Sequence, residues 1–483
     1  MRKILHSLLF ACILLLAQPQ DAQNLSDQIP DLGQPENRFF SAKLQGLYGR
    51  LIYSEFYQSA IFEHDRIIND YINHLGFQLF AQVHDSRHIP RFFVINQNTI
   101  NAFAYPGGTI GFHSKLITET ETESELAGVM AHELSHVSQN HIARSVQNSA
   151  QQAPLQLLAT LAAVLAAANS DSANAAAGSL AVTQGLFAQQ SINFTRSQEA
   201  EADRVAIQLL EKSDFDASGF RDFFTRLQKN YSDDRAFKVP EILRSHPLPR
   251  SRIADTSARL TETNTEPHTN TLSYEIVRAL LWEKLPYEQQ PNIELINYSE
   301  HGKAFHHAIR HIRSNPKKAI KLLEELNKQS FNVYIPYKLA QLQFQAGYAK
   351  QAMNTIENAL GLFPDNSMLS LFKAELLIDR NKLDSANELL IDLQEKRSHP
   401  DIYNLRAKIY QKKNSNSKAY TQLAEYSYAI GDYYQALFQL DTARSYKSIN
   451  KEEKSLITQR YEEIYHELPD DLRKDLIRNN RRR

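Results

Sequence analysis

The chain has 483 residues, with 54 Lys and Arg against 55 Asp and Glu, and a formal net charge of -1. This balance gives no global electrostatic field that favours nucleic acid, so a nucleic-acid-binding function is not expected. The length allows two or three domains with hydrophobic cores of their own. Cys12 is the only cysteine and lies close to the amino terminus, so we expect no disulfide in the mature chain.

Residues 1–22 have the features of a secretory signal peptide. Arg2 and Lys3 precede a mainly apolar run that extends from Leu5 to Ala17. The run is too short to span a bilayer comfortably. The sequence therefore predicts an exported protein, and it leaves the cleavage site open.

The region that follows is predicted to contain two kinds of element. Residues 38–80 carry periodic Leu, Ile, Tyr and Phe, which predicts helices. Residues 92–95 and 99–104 read as short strands, and residues 109–112 as the start of a third. Residues 101–104 form a plausible edge strand that could hold an extended substrate by strand addition, with simple core packing as the alternative.

The pentapeptide HELSH contains the pattern HExxH, with His132, Glu133 and His136 at the fixed positions. On a helix, positions i and i+4 share a face, so both imidazoles can reach one metal ion. The intervening glutamate then lies beside the open coordination position, where it can act as a general base. Thr122 and Glu125 fit a capping box, which predicts that the motif lies on a helix.

A catalytic zinc needs a third protein ligand. The extended pattern HExxHxxGxxH is excluded, because Gln139 stands at its glycine position and Ile142 at its third histidine position. His141 follows His136 by five residues, which turns it about 140° around a continuous helix. We therefore expect His141 to be a surface histidine.

The acidic residues that follow the motif leave one candidate cluster. After Glu133 there is no Glu before Glu199, and the only Asp is Asp171, in a loop-like stretch. Glu199 and Asp203 are four residues apart and share a helix face, whereas Glu201 points away. We predict Glu199 as the third metal ligand and Asp203 as the partner that orients a ligand imidazole. The alternative is a solvated helix amino terminus.

A third motif, SHPLPRSR, contains His246 and Arg252. Prolines fix extended backbone and could hold His246 toward a cleft. There it could bind the fourth metal position or stabilise a tetrahedral oxyanion, and Arg252 could do the latter. The alternative is an ordinary loop before a helix.

These three motifs in this order, HELSH, then SxExEAD, then SHPxxxxR, resemble the prenyl-protein-protease and HtpX group of zinc metallopeptidases, and most closely its soluble periplasmic members. The resemblance implies one zinc ion bound by His132, His136 and Glu199. It further implies that Glu133 is the base and that Asp203 orients a ligand. His246 is implied to occupy the free zinc position and keep the enzyme latent, with Arg252 nearby.

Two stretches of unusual composition separate these motifs from the rest of the chain. Residues 149–190 are rich in Ala, Gln and Ser, and residues 155–168 within them could form a helix. This helix is interpreted as a packed helix, with a mobile flap over the cleft and a membrane-contacting surface as alternatives. Residues 259–275 have few apolar positions and are predicted to be a linker.

Small residues recur with a regular period in the last third of the chain. Ala340, Ala374 and Ala407 follow one another at intervals of 34 and 33 residues, which is typical of tetratricopeptide repeats. Gly347 and Gly431 both occupy turn signatures, but they lie 84 residues apart, so one helix is expected to be extra or irregular. Stacked helix pairs form a concave surface, which favours a protein-binding module.

The predicted architecture is α+β and mostly helical. A zincin-type metallopeptidase domain with a small β-sheet is followed by an all-α tetratricopeptide-repeat solenoid. We predict four segments: a signal peptide at 1–22, the peptidase domain at 23–265, a linker and connecting helix at 266–300, and the repeats at 301–483.

The predicted function is a zinc-dependent endopeptidase, exported to the periplasm of a Gram-negative bacterium, in which Glu133 activates water. The resemblance implies a chaperone-like role as well, in quality control and assembly of outer-membrane β-barrel proteins. Misfolded or stalled barrel proteins are the implied substrates, and the repeats would dock them or the barrel-assembly machinery. The alternative is a non-catalytic chaperone or adaptor with a structural or vestigial zinc site.

Overall fold

A computed structural model describes most of the chain: residues 40–84, 86–148, 194–232, 239–247, 250–260, 269–397, 399–470 and 472–473. The predicted signal peptide at 1–22 and the predicted helix at 155–168 lie outside the described residues. Among the described residues, no helix combines the length and the hydropathy that a membrane span requires.

The described part of the chain begins with two helices, as the periodicity of residues 38–80 predicts. Helix α1 is Ala42–Gln58 and helix α2 is Arg66–Phe80. The side chain of Asp65 caps α2 by accepting a hydrogen bond from the Ile67 amide. Both helices bury one apolar face, and α2 packs against the first strand of the sheet.

The β-sheet has three short strands: β1 (Arg91–Ile95), β2 (Ala102–Tyr105) and β3 (Thr109–His113). Their order is β1-β3-β2, with β1 parallel and β2 antiparallel to β3. Strand β2 is therefore an edge strand of the sheet. It begins later than the predicted residue 99, because Thr99 lies in a bend before the strand.

The metal-binding motif lies on a helix, as its spacing predicts. A short helix α3 (Ser114–Glu119) leads into α4 (Glu123–Ser138), where the Thr122 side chain accepts a hydrogen bond from the Glu125 amide. Every residue from 123 to 137 is buried, so α4 is the central helix of this part of the fold. At Gly128 an added Cβ would lie 2.7 Å from Phe220 Cα, so glycine is needed for the close helix crossing there.

The chain breaks immediately after α4. Asn140 adopts a left-handed conformation with φ of 53°, and helix α5 (His141–Asn148) begins at the next residue in a new direction. Among the described residues, four further helices lie in the region around the motif: α6 (Arg196–Lys212), α7 (Ser218–Ser232), α8 (Glu241–Ser245) and α9 (Arg250–Leu260).

Helix α10 (Leu272–Trp282) lies in the region predicted as linker and connecting helix. Its residues from 274 to 282 are all buried. The linker prediction for 259–275 is wrong at both ends, because residues 259–260 belong to α9 and residues 272–275 to α10. The few apolar residues of that stretch are concentrated where α10 enters the core, so composition averaged over the stretch misses the helix.

The carboxy-terminal helices form antiparallel pairs: α11 (Glu300–Ile309), α12 (Pro316–Gln329), α13 (Tyr334–Gln345), α14 (Ala349–Leu362), α15 (Ser367–Asp379), α16 (Leu383–Lys396), α17 (Pro400–Lys412), α18 (Asn416–Ile430), α19 (Tyr433–Ser445) and α20 (Lys451–Glu467). Turn residues with positive φ occur at Gly347, Asn381 and Asn414, and Gly431 follows half a repeat later. The interval of 84 residues between Gly347 and Gly431 therefore corresponds to two full repeats and one half repeat. The half repeat is helix α18, which lies between the turns at Asn414 and Gly431.

The repeats are not a separate body. From Ala42 onward the chain forms one compact unit. One continuous core of buried residues extends from Ile67 of α2, through α4 and α10, to Leu376 of α15. Helix α1 also packs on the last repeats, through Leu47 and Leu51. The predicted division at residues 265 and 301 thus separates sequence patterns that share one core.

Ion pairs connect helices α1 and α2 to the repeats. The Arg66 guanidinium lies 2.6 Å from Glu375 Oε1 and 2.7 Å from Asp401 Oδ2. Arg50 lies 3.1 Å from Glu467 Oε2 and beside the last repeat helices, where an added Cβ at Gly431 would lie 2.1 Å from the Arg50 carbonyl oxygen. Glycine at this turn is therefore needed for the close contact between α1 and the repeats.

Replacing Arg66 tests this attachment. Arg66→Met leaves two partly buried carboxylates without a partner, so we expect the free energy of unfolding to fall by about 1–3 kcal/mol. Lys396→Met is the control, because Lys396 and Asp392 are 58% and 60% exposed and such pairs contribute little. Urea titration of both variants measures the difference, and equal midpoints would contradict a stabilising attachment.

Candidate metal centre

Four side chains that commonly bind metals converge between three segments of the chain. His132 and His136 come from α4, Glu199 from α6, and His246 from the residue that follows α8. All four are buried, with at most 4% of each residue exposed. One ligand atom from each lies within 4.8 Å of the others. The structure thus brings together all four residues that the sequence proposes as ligands.

The spacing of these atoms fits one small cation. His132 Nε2 lies 3.1 Å from His136 Nε2 and 3.2 Å from His246 Nδ1. Glu199 Oε1 lies 3.0 Å from His246 Nδ1 and 3.5 Å from His136 Nε2. Ligands about 2.0–2.1 Å from a tetrahedral zinc are separated from one another by about 3.3–3.4 Å. The residues present therefore fit a four-coordinate zinc ion.

The electrostatics of the cluster favour a cation as well. Imidazole nitrogens that face one another at about 3 Å must either share protons or repel through their lone pairs. Burial raises the cost of any uncompensated polar group, because water cannot reach it. A metal ion at the centre of the four atoms satisfies all of them at once.

Glu133 lies at the rim of this cluster. It is 1% exposed, and neither carboxylate oxygen has a hydrogen-bond partner among the described residues. The His246 ring faces it, with Nε2 3.4 Å from Glu133 Oε1. Burial raises the pKa of Glu133, against the opposing effect of His246 and His132. A buried carboxylate with free acceptor sites beside a metal position is suited to bind and move a proton.

Asp203 and Arg252 support His132 from behind. Asp203 Oδ1 lies 3.1 Å from His132 Nδ1, on the side of the ring away from the cluster. Arg252 holds this carboxylate with two hydrogen bonds, from Nε to Oδ2 at 2.7 Å and from Nη2 to Oδ1 at 2.6 Å. The arrangement fixes the orientation of the His132 ring, which is the position that the sequence predicts for Asp203.

Arg252 has a different position from the one expected of an oxyanion donor. Its third nitrogen, Nη1, lies 2.8 Å from Glu199 Oε2 and donates to the Pro247 carbonyl at 2.6 Å. All three nitrogens thus contact carboxylates or backbone near the ligands, and the expectation that Arg252 stabilises an oxyanion is not supported. The guanidinium instead links Glu199, Asp203 and the loop that carries His246.

The two carboxylates of α6 are strongly held in their ionised form. Burial alone would raise the pKa of Glu199, but His246 and His132 lower it well below its usual range. Burial likewise opposes ionisation of Asp203, and contacts with His132 and Arg252 outweigh it, so the pKa of Asp203 is also lowered. Both carboxylates are therefore held as anions by the cationic groups around them, and Glu199 is available as an anionic ligand.

His141 is not on the surface, so the sequence prediction for it is wrong. Its residue exposure is 0%, and its Nδ1 lies 2.9 Å from His136 Nδ1. The expected rotation of about 140° assumed a helix that continues past His136. The left-handed Asn140 ends that helix and turns the chain back, which places His141 behind the ligand. Asparagine is one of the few residues that adopt this conformation readily, and this was the available signal.

Aromatic rings enclose the two ligand histidines of α4. Phe220 of α7 stacks on His132 with ring centroids 5.4 Å apart, and Phe194 stacks on His136 at 3.9 Å. These contacts keep water away from the imidazole faces and restrict ring rotation. Neither ring was identified from the sequence, because its contact depends on helices distant along the chain.

Comparison with known families agrees with this geometry. The profile of Peptidase family M48 matches residues 68–260, which include every residue of the cluster. This part of the chain is therefore similar to M48 peptidase domains. A tetratricopeptide-repeat profile matches residues 343–409, so repeats follow the M48 domain.

Several bacterial proteins resemble the M48 domain and its surroundings. A Vibrio cholerae protein is 33% identical over 277 residues, which are 57% of this chain and 56% of that protein. Proteins named beta-barrel assembly-enhancing protease are 31% identical in Yersinia pestis and 34% identical in Escherichia coli K12. These two matches cover 53% and 48% of this chain, and 52% and 47% of the relatives. The matched region thus spans about half the length of the curated relatives.

Among solved structures, yeast Tom70 aligns over 71% of this chain and 84% of its own, at 14% identity and a TM-score of 0.28. A TM-score of 0.28 is too low to indicate a shared fold. The small mixed sheet, the M48 domain and the repeat profile together establish the mostly helical α+β class.

Replacing Glu199 tests the composition of the metal centre. Glu199→Gln removes the only negative charge among the four ligands, so we expect the purified chain to lose most of its bound metal after dialysis. Glu211→Gln is the matched control, since Glu211 is an exposed residue on the same helix. Elemental analysis of both variants measures the effect. Full metal content in Glu199→Gln would exclude Glu199 as a ligand.

Proposed function

We propose that the chain is an exported zinc metalloendopeptidase that acts on proteins of the outer-membrane assembly route. One observation carries the proposal: the buried cluster of His132, His136, Glu199 and His246 has Glu133 beside it, with both carboxylate oxygens free of hydrogen bonds among the described residues. A purely structural metal site has no use for such a carboxylate.

Zinc is the metal that this donor set favours. Imidazole and carboxylate ligands in a closed tetrahedral arrangement are typical of zinc, whereas magnesium and calcium prefer six or more oxygen ligands. The ligand His132 carries a carboxylate partner behind it, as zinc-binding histidines commonly do. We therefore propose one zinc ion per chain, held by His132, His136 and Glu199, with His246 at the fourth position.

Zinc, when bound, lowers the pKa of a water molecule and polarises the scissile carbonyl. Glu133 accepts the proton of that water and passes it to the leaving amine. His132 and His136 stay neutral and hold the metal, and Asp203 with Arg252 keeps the His132 ring in place. The phenyl rings of Phe220 and Phe194 exclude bulk water from the ligand faces.

Strand β2 provides a place for an extended substrate. It is the edge strand of the sheet and packs against α4, the helix that carries the motif. A peptide that adds to this edge gains backbone hydrogen bonds and lies alongside the metal centre. The strand therefore orients the substrate, and sequence specificity depends on pockets beside it.

His246 supports a latent state of the enzyme. Its Nδ1 lies among the ligand atoms and its Nε2 faces Glu133, so it occupies the place that water and substrate need. The segment that carries His246 is tied to the region before β2, where the Ile242 amide donates to the Ile100 carbonyl. We propose that partner or substrate binding displaces this segment and frees the fourth position.

The wider role rests on the relatives and on the repeats. Two relatives are named beta-barrel assembly-enhancing protease, and tetratricopeptide repeats commonly bind proteins. We propose that this chain acts in the periplasm of a Gram-negative bacterium, with a chaperone-like role besides proteolysis. Misfolded or stalled outer-membrane proteins are the proposed substrates, and the repeats dock them or the barrel-assembly machinery.

The rival function is a non-catalytic chaperone or adaptor. One observation favours it: four protein ligands surround the candidate metal position, and structural zinc sites are closed in this way whereas catalytic sites keep one position open. The two functions differ in what they require of Glu133, since a structural site needs only the ligands.

Glu133→Gln separates these functions. The amide cannot accept a proton, so we expect casein cleavage to fall by about 10²–10⁴-fold while zinc content stays near one ion per chain. Glu211→Gln, on an exposed helix position, should cleave like the parent chain. A Glu133→Gln variant that retains full cleavage, or a His246→Ala chain that cleaves no barrel protein and no casein, would refute the peptidase proposal.

His246→Ala tests latency against direct catalysis. If His246 blocks the fourth position, its removal should raise the cleavage rate severalfold. If it stabilises the transition state instead, the rate should fall. His466→Ala is the control, because the His466 side chain is 65% exposed on the last helix. Initial rates of casein digestion at saturating zinc compare the parent chain with the two variants, and an unchanged or lower rate in His246→Ala refutes latency.

A further inference from the structure

We propose that His141 and Glu201 are positioning residues for His136, and that they set the tautomer and ring orientation in which His136 binds the metal. The inference rests on the zinc site of the proposed function and extends it to two residues outside the ligand set. Neither residue touches the reacting atoms, and both act through His136.

The three residues form a linear chain of polar contacts. His136 Nε2 faces the ligand cluster, and His136 Nδ1 lies 2.9 Å from His141 Nδ1 on the opposite side of the ring. His141 Nε2 lies 3.2 Å from Glu201 Oε2. Arg144 Nη1 lies 3.1 Å from the same carboxylate oxygen and neutralises its charge.

The contacts admit only one arrangement of protons when a metal is bound. A metal on His136 Nε2 requires that nitrogen to be unprotonated, so the ring proton is on Nδ1. His136 Nδ1 then donates to His141 Nδ1, which must be the acceptor. The proton of His141 is consequently on Nε2, where it is donated to Glu201. Glu201 therefore selects the tautomer of His141, and His141 selects that of His136.

The surroundings of His141 hold it in a fixed position beside His136. It is completely buried, and its backbone carbonyl accepts a hydrogen bond from Gln198 Nε2 at 3.2 Å. Phe194 stacks on His136 at 3.9 Å, so the ligand ring is held by a phenyl face as well as by the His141 contact. Rotation of the His136 ring would break both interactions.

His141 is not itself a metal ligand. The described ligand cluster consists of four other residues, and the nearer nitrogen of His141 meets His136 on the nitrogen that points away from the cluster. His132 shows the corresponding arrangement in a shorter form, since the Asp203 carboxylate contacts its Nδ1 directly and Arg252 holds Asp203. A carboxylate and an arginine thus lie behind each ligand histidine of α4. For His136, the His141 imidazole lies between the ligand ring and the Glu201 carboxylate.

The test measures zinc affinity by competition with a chromophoric chelator. His141→Phe keeps a planar ring of similar size but removes the acceptor, so the dissociation constant for zinc should rise about 10–100-fold. His141→Gln returns an acceptor and should recover part of the loss. Glu211→Gln on the exposed face of α6 should match the parent chain.

A second readout reports the proposed tautomer directly. In the zinc-bound parent chain labelled with ¹⁵N-histidine, the His136 Nδ1 proton should give a downfield NMR signal protected from exchange, and His141→Phe should remove it. Because a buried substitution can disturb folding, Glu201→Leu provides a second variant. Glu201 is 25% exposed, so its replacement leaves the core intact while it removes the acceptor of His141.

The outcomes separate this inference from the proposed function. If the parent chain binds zinc but His141→Phe and Glu201→Leu bind it equally tightly and keep the signal, the positioning role is refuted. If His141→Phe fails to fold, Glu201→Leu decides alone, with weaker binding in support and unchanged binding against. If the parent chain binds zinc and Glu133→Gln still cleaves fully, the peptidase proposal fails while the positioning role of His141 stands.

Discussion

The fold around the motif is organised by one electrostatic requirement. Three imidazoles and a carboxylate point at a common centre inside the protein, where each is at most 4% exposed. In a low-dielectric interior such groups are costly unless a cation lies between them and their remaining polar atoms are paired. In the described structure the Asp203 carboxylate lies behind His132, and His141 lies behind His136 and contacts the Glu201 carboxylate in turn. Arg252 lies beside the first carboxylate and Arg144 beside the second. The crossing of these helices brings the side chains together.

The same electrostatic constraint accounts for the two arginines, Arg252 and Arg144, that lie beside the carboxylates behind the α4 histidines. Arg252 contacts Glu199, Asp203 and the backbone of the segment that carries His246, so one side chain couples two carboxylates of α6 to that segment. The Asp203 contacts use Nε and Nη2, whereas Nη1 contacts Glu199 and the Pro247 carbonyl. The contact with the segment that carries His246 is thus made by a different nitrogen from those that hold Asp203.

The repeats are joined to the helices around the candidate metal centre by a shared core. They share this core with α2, α4 and α10, and Arg66 ties them to α2 by two ion pairs. The helices of the repeats and the helix that carries His132 and His136 therefore belong to one compact unit.

The sequence by itself predicted the motif helix and its cap at Thr122, and it proposed Glu199 and Asp203, because helical spacing and the scarcity of acidic residues are local properties of the chain. His246 was proposed from the resemblance, and the structure brings it together with His132, His136 and Glu199. The sequence also indicated the helices of the repeats from their period. Only the tertiary structure decided the place of His141, the contacts of Arg252 and the burial of α10. Each of these depends on a break or a long-range contact: a left-handed Asn140, a carboxylate on another helix, and a core shared between two predicted domains. Periodicity describes which face of an element is apolar, but it cannot show which distant element covers that face.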